Sequence, residues 1–169
     1  MGGRACEERR ALTTTADMNT EKNALYHELL LQARGLAEGI DDPIANAANI
    51  AALIWHGLPD LNWAGFYLSK GDELVLGPFQ GKPACVRIPF GKGVCGTAAT
   101  SRQTVIVPDV HQFPGHIACD SASNSEIVIP LIRDGAVLGV LDLDSPLLAR
   151  FDAADAAGLE AIAAVWVGA

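Results

Sequence analysis

No apolar run in the 169-residue chain approaches the roughly 20 residues needed to cross a bilayer, and the N-terminus lacks the apolar stretch of a secretory signal. A cytoplasmic protein with no membrane partner is expected. Charge is sparse: only 19% of residues are charged, and the 12 basic side chains, outnumbered by 20 acidic ones, form no cluster that could follow a phosphate backbone. Nucleic acid is therefore not expected as a partner. The four cysteines include no Cys-x-x-Cys pair, which argues against zinc ribbons and thioredoxin-like redox motifs. Internal repeats and low-complexity tracts are missing as well. What remains is half apolar, with enough length for one well-buried core.

The opening segment mixes Arg4, Arg9 and Arg10 with Glu7, Glu8 and Asp17, unlike an acid-poor transit peptide. Residues 1–18 are expected to be a disordered leader, and residues 19–169 a single domain. Apolar residues recur at helical spacing from Asn19 to Glu38, with Gly39 as a stop signal. Asp42 and Pro43 then supply an N-cap and a first-turn proline for a second helix ending at Gly57. Leu61–Ser69 and Glu73–Phe79 form a hairpin around Lys70-Gly71-Asp72, and Ala84–Ile88 reads as a third strand. Val94–Ser101 is a short helix of small residues, and Thr104–Val107 a β-branched run. Pro108–Ser125 has no periodicity, and a loop of this length in a compact domain is usually functional. Glu126–Ile132 and Ala136–Asp144 make a second hairpin, and a helix capped by Asp152 closes the chain. This order is that of an α+β domain, an antiparallel sheet covered by helices.

Four cysteines without a secretion signal are better read as thiols than as a disulfide framework. Cys6 sits in the leader, whereas Cys85, Cys95 and Cys119 lie in loops or glycine-flanked turns, where reactive groups concentrate. Cys95 starts the short helix, whose dipole would favour a thiolate; the competing reading is a small residue needed for packing. A metal site built from His111, His116 and Cys119 lacks an evident fourth ligand, so ordinary loop histidines are preferred, and neither metal nor cofactor is expected.

Asp142 and Asp144, one residue apart in a strand, project from one face while Leu141 and Leu143 take the other. On a pocket wall such acids would attract an α-ammonium group, and their repulsion would raise one pKa. Glu126 could add a third carboxylate, but a two-residue Asp134-Gly135 turn would place it opposite Leu143, on the wrong face. A bulge at Pro130, which cannot donate to a ladder, would reset the alternation and bring the three acids together. Trp63, Phe66 and Tyr67 on the first strand could form a wall for a methyl or thioether group, core packing being at least as good an explanation for Phe66.

NWAGFYL at 62–68, GPFQGKPAC at 77–85, IPFGKGVCGTAA at 88–99, VPDVHQFPGHIACDSASNSEIVIPL at 107–131 and GVLDLDSP at 139–146 resemble the free methionine-R-sulfoxide reductase family, a branch of the GAF domains. The resemblance runs from about Asn19 onward. It implies a GAF fold: a central antiparallel sheet with helices packed on one face and a ligand pocket on the other. It also implies thiol-dependent reduction of free methionine-R-sulfoxide. Cys119 would attack the sulfur, and Glu126 would help protonate the oxygen. Asp142 and Asp144 would bind substrate, Trp63 would contact its methyl group, and Tyr67 would extend that wall. Cys85 would resolve the intermediate, with Cys95 a third redox-active thiol and thioredoxin the reductant. A homodimer is typical of the family, though no stripe of residues here demonstrates one. Two alternatives use the same fold without turnover: a small-molecule-binding GAF sensor and a redox-sensing module whose disulfide alters a partner interface.

Overall fold

The structure, a computed structural model, describes residues 15–117 and 120–169. The expected leader up to Thr14 lies outside the described residues. So does Cys119. The described chain forms α1 (Thr15–Ala37), α2 (Pro43–Gly57), β1 (Trp63–Lys70), β2 (Glu73–Gly81), β3 (Arg87–Pro89), α3 (Gly93–Ser101), β4 (Val105–Val107), β5 (Ser125–Arg133), β6 (Ala136–Ser145) and α4 (Ala153–Gly168). No helix among the described residues is long and apolar enough to cross a membrane.

Local chemistry sets the helix starts. The Asp42 carboxylate accepts from the N–H groups of Ile44 and Ala45 at 2.8 and 3.0 Å, with Pro43 in the first turn, as expected. Asp152 and Asp155 close a reciprocal capping box on α4.

The six strands lie in the order β3-β2-β1-β6-β5-β4, every neighbouring pair antiparallel. Strand alternation splits the apolar residues into two cores. Ala64, Phe66, Ile127, Ile129, Leu131, Leu141 and Leu143 face α1, α2 and α4 and pack with Ile50, Ile54, Leu159 and Ile162. Most of these are wholly buried, each contributing about 1.5–3 kcal/mol relative to exposure. Trp63, Tyr67, Val128 and Val140 turn to the opposite face, where α3 and the segments around β3 cover them.

Two departures from the expected strand pattern shape that second face. The β5–β6 hairpin turns through Asp134 and Gly135, both at positive φ, the geometry of a tight two-residue turn. Ile132 then pairs with Val137 but Leu131 with Gly139, so the bulged residue is Leu138 on β6 rather than a residue at Pro130. Pro130 itself pairs in register with Val140. It needs no bulge, because β4 pairs only as far as Val128 and leaves the other flank of Pro130 without a ladder. At Gly139 the bulged strand presses against β1: an added Cβ would lie 2.2 Å from the Tyr67 carbonyl oxygen.

The third strand also falls later than expected, at Arg87–Pro89 instead of Ala84–Ile88. Pro83 lacks an N–H, and the carbonyls of Lys82 and Cys85 are taken by aromatic side chains of β1 instead of a ladder. That replacement brings the Cys85 segment onto the second face.

Candidate active site

On the face away from the three large helices, β1, β5, β6, α3 and the loop before β5 enclose a cavity. Register places its acids. Because Leu138 is bulged out, Glu126 pairs with Asp144 and Val128 with Asp142, so all three carboxylates lie on one face beneath the cavity. The convergence expected for Glu126, Asp142 and Asp144 is thus present, through a bulge on the partner strand.

Glu126 and Asp142 are 5% and 6% exposed, and no lysine or arginine lines the cavity among the described residues. The negative charge is therefore uncompensated. Burial is the main cause that pushes all three carboxyls above the usual carboxylate range; the charge of Asp144 adds for Glu126, that of Glu126 for Asp142 and that of Asp142 for Asp144. Glu126 and Asp142 share a hydrogen bond, and Ser123 bonds Asp144. Asp142 Oδ1 is buried without a hydrogen-bond partner, an acceptor held ready for a donor from outside the chain.

Beside the acids on the same sheet face, where Trp63 pairs with Asp144, the surface is aromatic. The ring of Trp63 stacks between Tyr67, at 5.7 Å, and Phe79, at 5.3 Å. Gly65 makes this possible, since a Cβ there would meet Phe79 Cβ at 2.3 Å and the Trp63 ring at 2.7 Å. Trp63 and Tyr67 line the cavity, whereas Phe66 points to the helix side and packs on Trp166 at 5.6 Å. The polar ends of the wall fix the neighbouring chain: Trp63 Nε1 donates to the Lys82 carbonyl at 3.2 Å and Tyr67 OH to the Cys85 carbonyl at 3.0 Å.

Cys85 is engaged in a disulfide, and Cys95 is a free, buried thiol. Cys95 Sγ lies 4.0 Å from Glu126 Oε1. Burial, reinforced by Asp142 and Glu126, pushes its thiol pKa up, so of the two readings of this helix start the thiolate is disfavoured and the packed, protonated thiol favoured. Donor atoms of Cys95, Glu126 and Asp142 lie within 4.8 Å of one another, a set that could also receive a cation. The histidines separate. His111 is exposed, bound to Asp109 at 2.9 Å and not part of the cavity lining, while His116 lines the cavity.

Residues 42–165 match the GAF domain family. The chain is 52% identical to the free methionine-R-sulfoxide reductase of Escherichia coli strain K12 over 143 residues, covering 85% of this chain and 87% of that relative. It is 49% identical to the free methionine-R-sulfoxide reductase of Saccharomyces cerevisiae, covering 86% and 85% of the two chains. The chain belongs to the free methionine-R-sulfoxide reductase family of GAF domains. The X-ray structure of the Neisseria meningitidis free methionine-R-sulfoxide reductase in complex with its substrate superposes with a TM-score of 0.84 at 50% identity, over 87% of this chain and 89% of that one.

In this member of the reductase family the loop before β5 carries more of the site than its sequence suggests. Asp120 accepts from Ala122 N–H at 2.9 Å, and Asn62 donates to Asp120 at 3.3 Å and to Ser123 at 2.9 Å, tying the loop to the start of β1. The Ala122 N–H, with Asn62 and Lys82, holds the Asp120 carboxyl below its usual value, in contrast to the three acids beneath it. His116 Nε2 stands 3.6 Å from Glu126 Oε2. Asn62, Asp120, Ser123 and His116 all lie within the segments that carry the family resemblance, but no periodicity singles them out, and Asn62 stands outside the long loop.

Proposed function

We propose that this chain reduces free L-methionine-(R)-S-oxide to methionine by thiol chemistry. The observation that carries the reading is the trio Glu126, Asp142 and Asp144, without a lysine or arginine partner in the cavity lining among the described residues, set beside the Trp63–Tyr67 stack on one sheet face. Three acids without a protein cation suit an α-ammonium, and a stacked aromatic face suits the methyl and thioether end. Asp142 Oδ1 would accept from that ammonium. A methionine sulfoxide inside a polypeptide has no ammonium to offer, which accounts for selection of the free amino acid.

Cys119 is assigned as nucleophile. Its thiol gives up its proton to solvent and the thiolate attacks the sulfoxide sulfur while Glu126, kept protonated by burial and by Asp144, gives its proton to the oxygen. The hydroxyl then passes to the Cys119 sulfur: the substrate S–O bond and the transient sulfur–sulfur bond break, a Cys119 S–O bond forms, and methionine leaves with Cys119 as a sulfenic acid; two electrons have passed from the cysteine to the substrate sulfur. The Cys85 thiol then attacks the sulfenic sulfur, water departs, and a Cys85–Cys119 disulfide forms. The disulfide already carried by Cys85 fits the oxidised end of this cycle. An external dithiol, thioredoxin by family analogy, supplies two electrons and two protons to restore both thiols. Cys95, its thiol held protonated, is assigned a secondary redox role through exchange.

Turnover distinguishes this reading from a sensor, which would oxidise once and stop. With a dithiol reductant, consumption of the free R epimer is expected, with the S epimer and peptide-bound sulfoxide left untouched, and Cys119→Ser is expected to abolish turnover while retaining binding. Multiple turnovers by Cys119→Ser, or none by the unmodified protein, would overturn the assignment.

A further inference from the structure

We propose that His116 is a positioning residue that reloads Glu126 with a proton between turnovers, an inference that rests on the reductase reading above. Each cycle transfers one proton from Glu126 to the sulfoxide oxygen, where it stays in the sulfenic acid and later leaves in water, while Cys119 gives up its thiol proton to solvent as the attacking thiolate forms, so the cycle consumes no net proton. Glu126 must nonetheless regain one proton for every methionine released. Its carboxyl is poorly placed to do so alone: the side chain is only 7% exposed, on the floor of a cavity that bound substrate would occupy.

His116 Nε2 lies 3.6 Å from Glu126 Oε2, and its side chain is 16% exposed, so the imidazole spans from the carboxyl toward solvent. The groups around this pair are acidic or neutral: Asp142 and Asp144 of β6, Cys95 of α3, Tyr67 of β1 and, on the loop of His116, Asp120. Asp142 and Cys95 also reach Glu126 but are themselves buried, and Lys82 is paired with Asp120 at 3.4 Å, so it is His116 that links the carboxyl to solvent. Burial lowers the pKa of His116, so at neutral pH the ring is mostly unprotonated and able to pick up a proton and pass it on. The loop turn holds the backbone at this residue: the His116 backbone N–H donates to the Phe113 carbonyl at 3.1 Å.

The test compares the first and later turnovers of pre-reduced protein mixed rapidly with free methionine-R-sulfoxide and a dithiol. In His116→Gln, which keeps the size of the side chain but cannot carry a proton, the first turnover is expected at the unmodified rate because Glu126 enters already protonated. The steady-state kcat is expected to fall at least about tenfold with KM unchanged. In His116→Ala, added imidazole is expected to restore kcat. A steady-state rate equal to the unmodified protein, or a loss that appears in the first turnover and resists imidazole, would overturn the proposal. An arm independent of activity follows the His116 ring nitrogens by NMR: its titration is expected to move in Glu126→Gln, and an unmoved titration would refute the coupling. If the unmodified protein reduces nothing, the reductase reading fails, while the NMR arm still decides whether the pair is coupled.

Discussion

Two groups of buried acids lie on opposite sides of the same sheet, and they are treated in opposite ways. On the helix side, Asp155 is fully buried but accepts from Tyr26 OH at 2.8 Å, Lys22 Nζ at 2.8 Å, Arg150 at 3.1 Å and the Asp152 N–H at 2.8 Å. It ties α1, α4 and the segment before α4 together. On the cavity side, Glu126, Asp142 and Asp144 have one another, a thiol, hydroxyls and the His116 imidazole beside Glu126, no lysine or arginine in the cavity lining among the described residues, and one oxygen with no partner. A buried charge that is fully answered within the chain is architecture. One that is left unanswered is a request for a ligand, and the fold pays for it in stability.

The sharpest way to break this contrast is to remove an acid from each side. Asp155→Ala leaves Lys22, Arg150 and Tyr26 without their shared acceptor and is expected to cost about 3–5 kcal/mol in denaturant unfolding. Activity per folded molecule should be retained. Asp142→Asn with Asp144→Asn should do the reverse: substrate affinity falls about a hundredfold or more in calorimetric titration, while stability at neutral pH is unchanged or raised. A strongly destabilised double variant that still binds substrate would place both groups in the same structural role.

Gly65→Ala probes the aromatic wall. Its Cβ has no room beside Phe79 and Trp63, and a loss of about 1–3 kcal/mol is expected together with a raised KM. The smallest effect is in the pH profile of stability. Glu126, Asp142 and Asp144 have higher pKa values folded than unfolded, so the folded chain binds more protons. Their contribution is favourable below about pH 4, the ordinary carboxylate range, and is lost as pH rises toward the elevated values. The Asp142→Asn, Asp144→Asn variant should show a shallower decline over that range in thermal unfolding.

Much of the fold was legible because it rests on short-range signals. The Asp42-Pro43 cap, the Asp134-Gly135 turn and the alternation that separates Leu141 and Leu143 from Asp142 and Asp144 each need only a few neighbouring residues. What failed was long-range. Pro130 advertises a lost donor, but whether that needs a bulge depends on how far β4 extends, and Leu138 carries no mark of being the extra residue. For Cys95 the helix dipole and the packing reading were balanced locally, and only burial, with the acids of β5 and β6 beside it, decides for the protonated thiol. His116 was indistinguishable from His111 as a loop histidine; only the packing of the loop over Glu126 separates them.

The central claim is that the unanswered acids hold the ammonium of a free amino acid. Comparison of kcat/KM for free methionine-R-sulfoxide and its N-acetyl derivative, with the same dithiol, tests it most directly. A preference of about a hundredfold or more for the free amino acid is expected. Equal kcat/KM for the two would contradict it.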